Sequence, residues 1–467
     1  VRYACTVAEL KAGGGMRPVV LGAREVLVIG TGEGIRVIDR ACPHEGYRLD
    51  DGEVRGQELT CPAHGWRFDL RSGACVTAGE DTRTYDVDVR DGAIFVDVDV
   101  EPTAQELGLA SEAVLGALET GRGSLAARRT ARLLGLGERP ERVALLLARY
   151  GGSHADAGLD PETAAVADAL ALVPHMDERA IALVFADLAA ALAARLARAS
   201  PRFGPAPATA FAWSDAGVRG TLAALVDGGD ADECEAVVAG MVVAGVPVGD
   251  IAAGLAEGTS RTFRGPWPLV VLERAVRLAT GLGPDAARVV LPVAAYGCAA
   301  GSEVPHAFAV TSDALAGAPR TPDEVVHECG RALLQFRLRS DDEPEGTGSL
   351  LGCGLALAHA AAAEWALGHT GVAAASLLHA RSLAGVYAGA AAEASGDPVA
   401  ADDAAIAAAI AAGPAQTPRG IAVCLAAAGA ALARPDSTVR AGVLRLLVTP
   451  RRERFTAREL QPGFVTI

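Results

Sequence analysis

Cys42-Pro43-His44-Glu45-Gly46 and Cys61-Pro62-Ala63-His64-Gly65-Trp66 decide how this chain is read. Together they spell C-x-H, sixteen residues, then C-x-x-H. Two thiolates and two imidazoles on short, Pro- and Gly-punctuated loops form a metal-ligand set, because sulfur and imidazole nitrogen are the donors that iron and zinc take. A zinc finger draws its ligands as C-x2–4-C and H-x3–5-H pairs. Here each loop supplies one Cys and one His instead. Pro43 and Pro62 stiffen the loops, and Gly46 and Gly65 let the backbone turn close to whatever the ligands hold. Those four residues are support, not ligands.

Working outward, residues 1 to 99 read as short alternating runs such as Val26 to Ile29, Ile35 to Ile38 and Tyr85 to Val89, separated by Gly and Asp turns. That pattern predicts a small all-β domain. Val1 to Leu10 alternates in the same way and reads as a strand. Gly30-Thr31-Gly32-Glu33-Gly34 lies between two strand-like runs with no helix after it, which makes it a hairpin turn and not a phosphate loop. The two ligand loops, with the phrase Cys61-Pro62-Ala63-His64-Gly65-Trp66-Arg67-Phe68-Asp69, resemble those of Rieske ferredoxin-type domains. The resemblance covers residues 1–99. It implies a [2Fe–2S] cluster in which Cys42 and Cys61 hold one iron, and His44 and His64 the other. Replacing two anionic thiolates by neutral imidazoles raises the reduction potential above that of an all-Cys cluster. High-potential respiratory members of this class tie their two loops with a disulfide, and the equivalent places here hold Tyr47 and Ala63. Trp66 stands where those members carry a hydroxyl. By resemblance, the cluster groups with the oxygenase and ferredoxin types.

From residue 100 to 467 the composition changes character. The whole chain is 51% hydrophobic but only 4% aromatic, so Ala, Leu and Val supply the apolar count, and close-packed helices follow. Helical spacing marks Pro140 to Tyr150, Asp177 to Ala199, Asp215 to Val226, Pro322 to Arg339, Leu350 to Leu367 and Val372 to Ala392. The expected architecture is therefore multidomain: an N-terminal all-β Rieske domain, 1–99, and a large all-α C-terminal domain, 100–467. Two segments, Ser200 to Pro207 and Ser340 to Gly348, lack apolar periodicity and read as loops. A formal net charge of −15 repels phosphate backbones and anionic lipid, so nucleic acid is not an expected partner. No apolar run reaches the roughly 20 residues of a membrane span. Nine cysteines in so long a chain are too sparse for a disulfide scaffold, and a soluble protein of the reducing cytoplasm is the expectation.

A Rieske cluster relays one electron at a time, so the helical domain is either where electrons are used or a platform for a partner. The two closely spaced His and carboxylate of ring-hydroxylating oxygenases are missing: His154, His175, His306, His327, His359, His369 and His379 all lie more than five residues apart. The tandem Glu-x-x-His pattern of helical di-iron proteins is missing too. His359 has Leu355, Ala356, Ala362, Ala363 and Ala366 around it at helical spacing, and His379 has Val372, Ala375, Leu383 and Val386. Each is either a metal or substrate ligand or a buried ring satisfied by a carbonyl or hydroxyl. His327 shares a face with Asp323, Glu324 and Arg331, as on a salt-linked surface. His306 begins a helix after Pro305. The segment Pro305-His306-Ala307-Phe308-Ala309-Val310-Thr311-Ser312-Asp313-Ala314-Leu315 resembles a stretch of the questin oxidase-like family, which implies oxidation of a polycyclic aromatic metabolite.

The leading reading is an oxidoreductase of oxygenase type, passing electrons from its cluster to an oxidative pocket with His306, His327, His359 and His379 as candidate site residues. The fused cluster implies additional iron or another one-electron acceptor among the helices. The alternative is an electron carrier whose helical domain docks a partner oxygenase or reductase and has no active site. Neither domain carries a flavin or nicotinamide fingerprint, so an electron-donating reductase or ferredoxin is implied, with a small-molecule substrate.

Overall fold

The computed structural model describes residues 1–22, 24–44, 46–77, 79–98, 102–196, 199, 217–262, 264–301, 321–335, 344–370, 401–412 and 418–448. The expected helix Val372 to Ala392, His306, His379, the loop Ser200 to Pro207, and residues 340–343 of the second loop lie outside them. Among the described residues two compact units emerge: Val1–Ala117 with Arg122–Arg139, and residues 140–448 with Leu118–Gly121.

The first unit opens with three antiparallel sheets of three strands each. One joins β1 (Arg2–Thr6), β8 (Asp86–Arg90) and β9 (Ala93–Asp97), with β9 in the middle. A meander joins β2 (Met16–Leu21), β3 (Arg24–Thr31) and β4 (Gly34–Asp39), and a smaller one joins β5 (Glu53–Arg55), β6 (Glu58–Thr60) and β7 (Arg67–Asp69). β3 is the wall between two cores. Val26 and Val28 pack with Cys5, Ile94 and Val96 on one face, while Leu27 and Ile29 pack with Cys42, Cys61, Leu59 and Phe68 on the other. Val26 to Ile29 thus departs from the alternation expected of it: the run is apolar at every position because both faces of the strand are buried. Gly34 pairs with Thr31 across the β3–β4 hairpin, where the glycine-rich stretch was expected to turn.

The N-terminus departs from the sequence reading. The strand ends at Thr6, and Val7–Ala12 forms a helix, α1. Thr6 Oγ1 accepts from the Glu9 amide at 3.1 Å, and the Glu9 carboxylate accepts from the Thr6 amide at 2.8 Å. This reciprocal capping box satisfies two orphan donors and turns the chain into helix despite its alternating pattern.

Two further helices, α2 (Ala104–Glu119) and α3 (Gly123–Gly135), share the compact unit of the sheets. Glu106 of α2 accepts from Arg24 at 2.6 Å and also pairs with Arg83, two arginines of the β region. Burial works to raise the Glu106 carboxyl, but hydrogen bonds from Arg24 and from the Thr103 amide outweigh it and hold the group at about 2. Arg129 of α3 donates to the Ala113 carbonyl at 2.8 Å, which ties the two helices together.

The described part of the second unit is helical throughout. The expected segments are found as Pro140–Ser153, Glu178–Leu196, Gly217–Gly228, Pro322–Gln335 and Pro344–Thr370. At its centre Asp168, 1% exposed, takes Arg274 Nε and Arg277 Nη1 at 3.0 Å each. A buried carboxylate is tolerable only when paired in this way.

Candidate functional site

The two Cys-His loops are copies of one backbone design. Cys42–Tyr47 is flanked by the bridged residues Ala41 and Arg48, and Cys61–Trp66 by the paired residues Thr60 and Arg67. In the first loop the Cys42 amide donates to the Tyr47 carbonyl at 2.8 Å and the Gly46 amide to the Cys42 carbonyl at 2.7 Å. In the second, the Cys61 amide donates to the Trp66 carbonyl at 2.7 Å and the Gly65 amide to the Cys61 carbonyl at 3.1 Å. Gly46 and Gly65 take φ of +74° and +69°, the left-handed conformation that closes each loop. Each loop is thus a Cys, a Pro, two variable positions, a left-handed Gly and an aromatic. The His takes the first variable position in one loop and the second in the other.

Both thiols are 1% exposed on the apolar floor formed by Leu59, Phe68 and Leu70. The imidazoles lie outward of them: His44 is half-buried and His64 exposed. Their rings meet edge to face, with centroids 4.8 Å apart and planes at 77°. Trp66 stacks on His44, and Tyr47 meets His64 edge-on at 5.6 Å. The Cys61 thiol lies below its usual range: a hydrogen bond with the Cys42 thiol and the amides of Ala63 and His64 favour the thiolate against burial. Under the first loop, Arg40 bridges Asp50 at 2.9 Å and Glu25 at 2.8 Å, and Arg48 reaches the same Asp50 at 2.8 Å. Burial pushes Asp50 upward, but the two guanidiniums hold it at about 2.

Among the described residues, no three His, Cys, Asp or Glu converge as ligands of one ion. A single zinc needs four donors around a point. Paired thiols below paired imidazoles suit instead a two-iron cluster that takes two protein donors on each iron. The donor set and its burial fit that group, and residues 1–88 match the family model described as the Rieske [2Fe-2S] domain.

Residues 1–88 are a Rieske [2Fe–2S] domain. The chain is 33% identical over 67 residues to the ferredoxin component of the 2,4-dinitrotoluene dioxygenase system of Burkholderia sp., covering 14% of this chain and 64% of that protein. It is 36% identical over 102 residues to cholesterol 7-desaturase of Bombyx mori, 20% of this chain and 22% of that one. It is also 36% identical over 70 residues to the oxygenase component of 3-ketosteroid-9-alpha-monooxygenase of Mycobacterium tuberculosis, 13% of this chain and 18% of that one. The chain spans less than two thirds of the length of each of these relatives. The Rieske domain carries a [2Fe–2S] cluster and is an iron–sulfur electron-transfer module. No helix among the described residues is long and apolar enough to cross a membrane.

In the helical unit the histidines divide. His359 is 1% exposed, and its Nδ1 lies 3.1 Å from the Pro266 carbonyl, one of the partner types foreseen for a buried ring. His327 is half-exposed, with Nδ1 2.8 Å from Asp436 Oδ2, and that carboxylate also caps the helix Ser437–Val448 through the amides of Thr438 and Val439. His154 stacks on Tyr150 and reaches its carbonyl at 2.8 Å. His369 bonds the Trp365 carbonyl, and His175 faces Asp403. Among the described residues, none of these histidines belongs to a group of three or more His, Cys, Asp or Glu that could hold a metal ion.

One residue escaped the sequence reading. Asp187 sits in the helix Glu178–Leu196 among Ala186, Leu188 and Ala189, each fully buried, and burial pushes its carboxyl up to about 7. Solvent still reaches part of its side chain. The signal was visible: Asp187 is the only charged residue from Ile181 to Ala194.

Proposed function

We propose that Cys42, His44, Cys61 and His64 hold the cluster, and that the chain is an oxidoreductase whose helical unit contains the oxidative site. When bound, the cluster takes up and releases one electron. The observation that carries this reading is the graded burial of the loops: thiols sealed in an apolar floor, His64 exposed at the surface. The floor keeps water from the sulfurs, Trp66 and Tyr47 orient the two imidazoles, and the open edge of His64 is where a reductase or ferredoxin would hand over electrons. In the helical unit we assign the small-molecule oxidation to His359 and Asp187, with His306 and His379 as further candidates. Asp187 is poised to hold or release a proton near neutral pH. A polycyclic aromatic substrate, oxygen insertion of the monooxygenase kind, and additional iron at His306, His359 and His379 complete the proposal. Nine cysteines without a disulfide suit a reducing, cytoplasmic setting.

The test is iron per chain with reduced-state EPR on the full-length protein, followed by the rate at which the reduced protein reoxidises in air. Expected are a Rieske signal, iron beyond the two of the cluster, and loss of that excess in H359A. If only two irons are present, and reoxidation is the same in H359A and D187N as in the parent, the oxidative site is wrong. The helical unit is then a docking platform for a partner oxygenase or reductase.

A further inference from the structure

The second Cys-His loop does not hold its indole alone. After β7 the chain turns back beside that strand: Phe68 and Cys75 are bridged antiparallel, the Asp69 amide donates to the Ala74 carbonyl at 2.9 Å, and the Val76 amide donates to the Arg67 carbonyl at 2.8 Å. Two side chains of this return segment bind backbone. Thr77 Oγ1 accepts at 3.1 Å from the amide of Arg67, the residue that follows Trp66. Asp81 Oδ1 accepts from the Cys75 amide at 2.8 Å, which ties the two ends of the stretch that carries Gly79. Gly79 takes φ of +115°, and a Cβ there would overlap Cη2 and Cζ3 of Trp66. Only a glycine lets the backbone pass so close to the benzo edge of the indole. The face of the same indole is stacked on His44.

We propose that Thr77 and Asp81 are positioning residues that act through Trp66: they hold the Gly79 backbone against the benzo edge and so keep the indole over His44. A single aromatic stack is a weak restraint, and a wall at the edge of the indole removes the rotamers that would break it. Both side chains are exposed, so neither bond adds much to the stability of the fold. What they fix is local. Thr77 joins the return segment to the backbone immediately after Trp66, and Asp81 keeps the stretch with Gly79 from opening away from the ring. The covered, half-buried His44 and the exposed His64 are thereby made unequal, and His64 is left as the open edge of the site.

This inference rests on the proposed assignment of His44 as a cluster ligand. The experiment is the rate of iron release to a chelator, with the EPR spectrum of the reduced cluster, for the full-length holoprotein and for T77V, T77S, D81A and D81N. Valine keeps the shape of threonine without its acceptor, whereas serine and asparagine keep an acceptor oxygen. Expected are several-fold faster release and a broadened signal in T77V and D81A, and parent behaviour in T77S and D81N. In a W66A background T77V is expected to add nothing, because both changes act on one brace. Parent rates in iron-replete T77V and D81A overturn the proposal, and so does T77V multiplying the rate by the same factor with and without Trp66. D81A takes the place of T77V in both comparisons if T77V takes up no cluster. A parent-like Rieske signal in H44A would instead overturn the ligand assignment, a separate outcome.

Discussion

The indole of Trp66 lies almost parallel to the imidazole of His44, with ring centroids 4.2 Å apart and planes 13° from parallel. The two residues belong to different loops, so the stack is a brace between them. It fixes the plane of the His44 imidazole, which under the proposed ligand assignment would present a nitrogen to iron, a task otherwise left to hydrogen bonds. An aromatic stack is worth about 1 kcal/mol beyond the area it buries. W66A is expected to release iron several-fold faster to a chelator and to broaden the EPR signal, with W66F between it and the parent. Equal release rates in W66A and the parent would remove the bracing role. The outer edge of the indole is hemmed in as well: a Cβ at Gly79 would overlap its benzo ring. G79A should therefore reproduce part of the W66A effect without touching either loop.

Glu106 is expected to be part of the stability of the Rieske unit, although it lies outside the matched domain. Replacing it by Gln removes the carboxylate charge that Arg24, 5% exposed, meets at 2.6 Å, which costs about 2 kcal/mol. The native carboxyl sits at about 2, against about 4.3 in an unfolded chain. Its contribution is therefore complete above that unfolded value and is lost as pH falls through about 2. Thermal unfolding of parent and E106Q should differ clearly at pH 7 and converge towards pH 2. For the same reason a fragment ending at residue 99 should melt below one ending at residue 139.

For Asp187 the sign is reversed. Its native carboxyl stands at about 7, above the unfolded value of about 3.9. It favours the folded state fully below the unfolded value, and that benefit is lost as pH rises through about 7. D187N should remove this slope, making the helical unit more stable than the parent at pH 8, by up to about 4 kcal/mol. The difference should vanish near pH 4. Denaturant midpoints across that range provide the measurement, and a D187N variant less stable than the parent at pH 8 would mean that the acid is structural.

Asp168 makes the opposite case, an acid whose charge the fold needs. D168A leaves Arg274, 3% exposed, short of a partner in the centre of the helices, at a cost of about 3 kcal/mol. Calorimetry should show a lowered transition for the helical unit while the Rieske EPR signal is unchanged. A double variant D168L/R274L, which removes both charges, should recover much of the loss.

Much of this molecule was legible before any coordinates. The Rieske domain, the C-x-H and C-x-x-H spacing on which the proposed ligand set rests, and the boundary between strand-rich and Ala-rich composition are local facts: a Cys/His pattern is recognised by its chemistry, and a helix by its period. The six-residue hydrogen-bonded rings of the two loops follow from a Cys, a Pro, a Gly and an aromatic at matching places. Val1 to Leu10 misled because alternation says nothing about a cap, and the Thr6–Glu9 pair outweighed it. What sequence could not supply were contacts between distant residues. Asp168 and Arg274 stand 106 positions apart, and Arg24 and Glu106 stand 82 apart. His327 was a candidate on its own helix face, but its partner Asp436 comes from 109 residues away.

The chain by itself determined that there is a cluster module and a helical remainder, because ligand type, spacing and hydrophobic period are written in consecutive residues. Tertiary structure alone decided which side chains surround the two Cys-His loops. Trp66 on His44, Tyr47 on His64 and Arg128 on Tyr47 are meetings of side chains from different loops and from a helix outside the domain. Through-space packing and electrostatics depend on distance in three dimensions, and separation along the chain does not encode it.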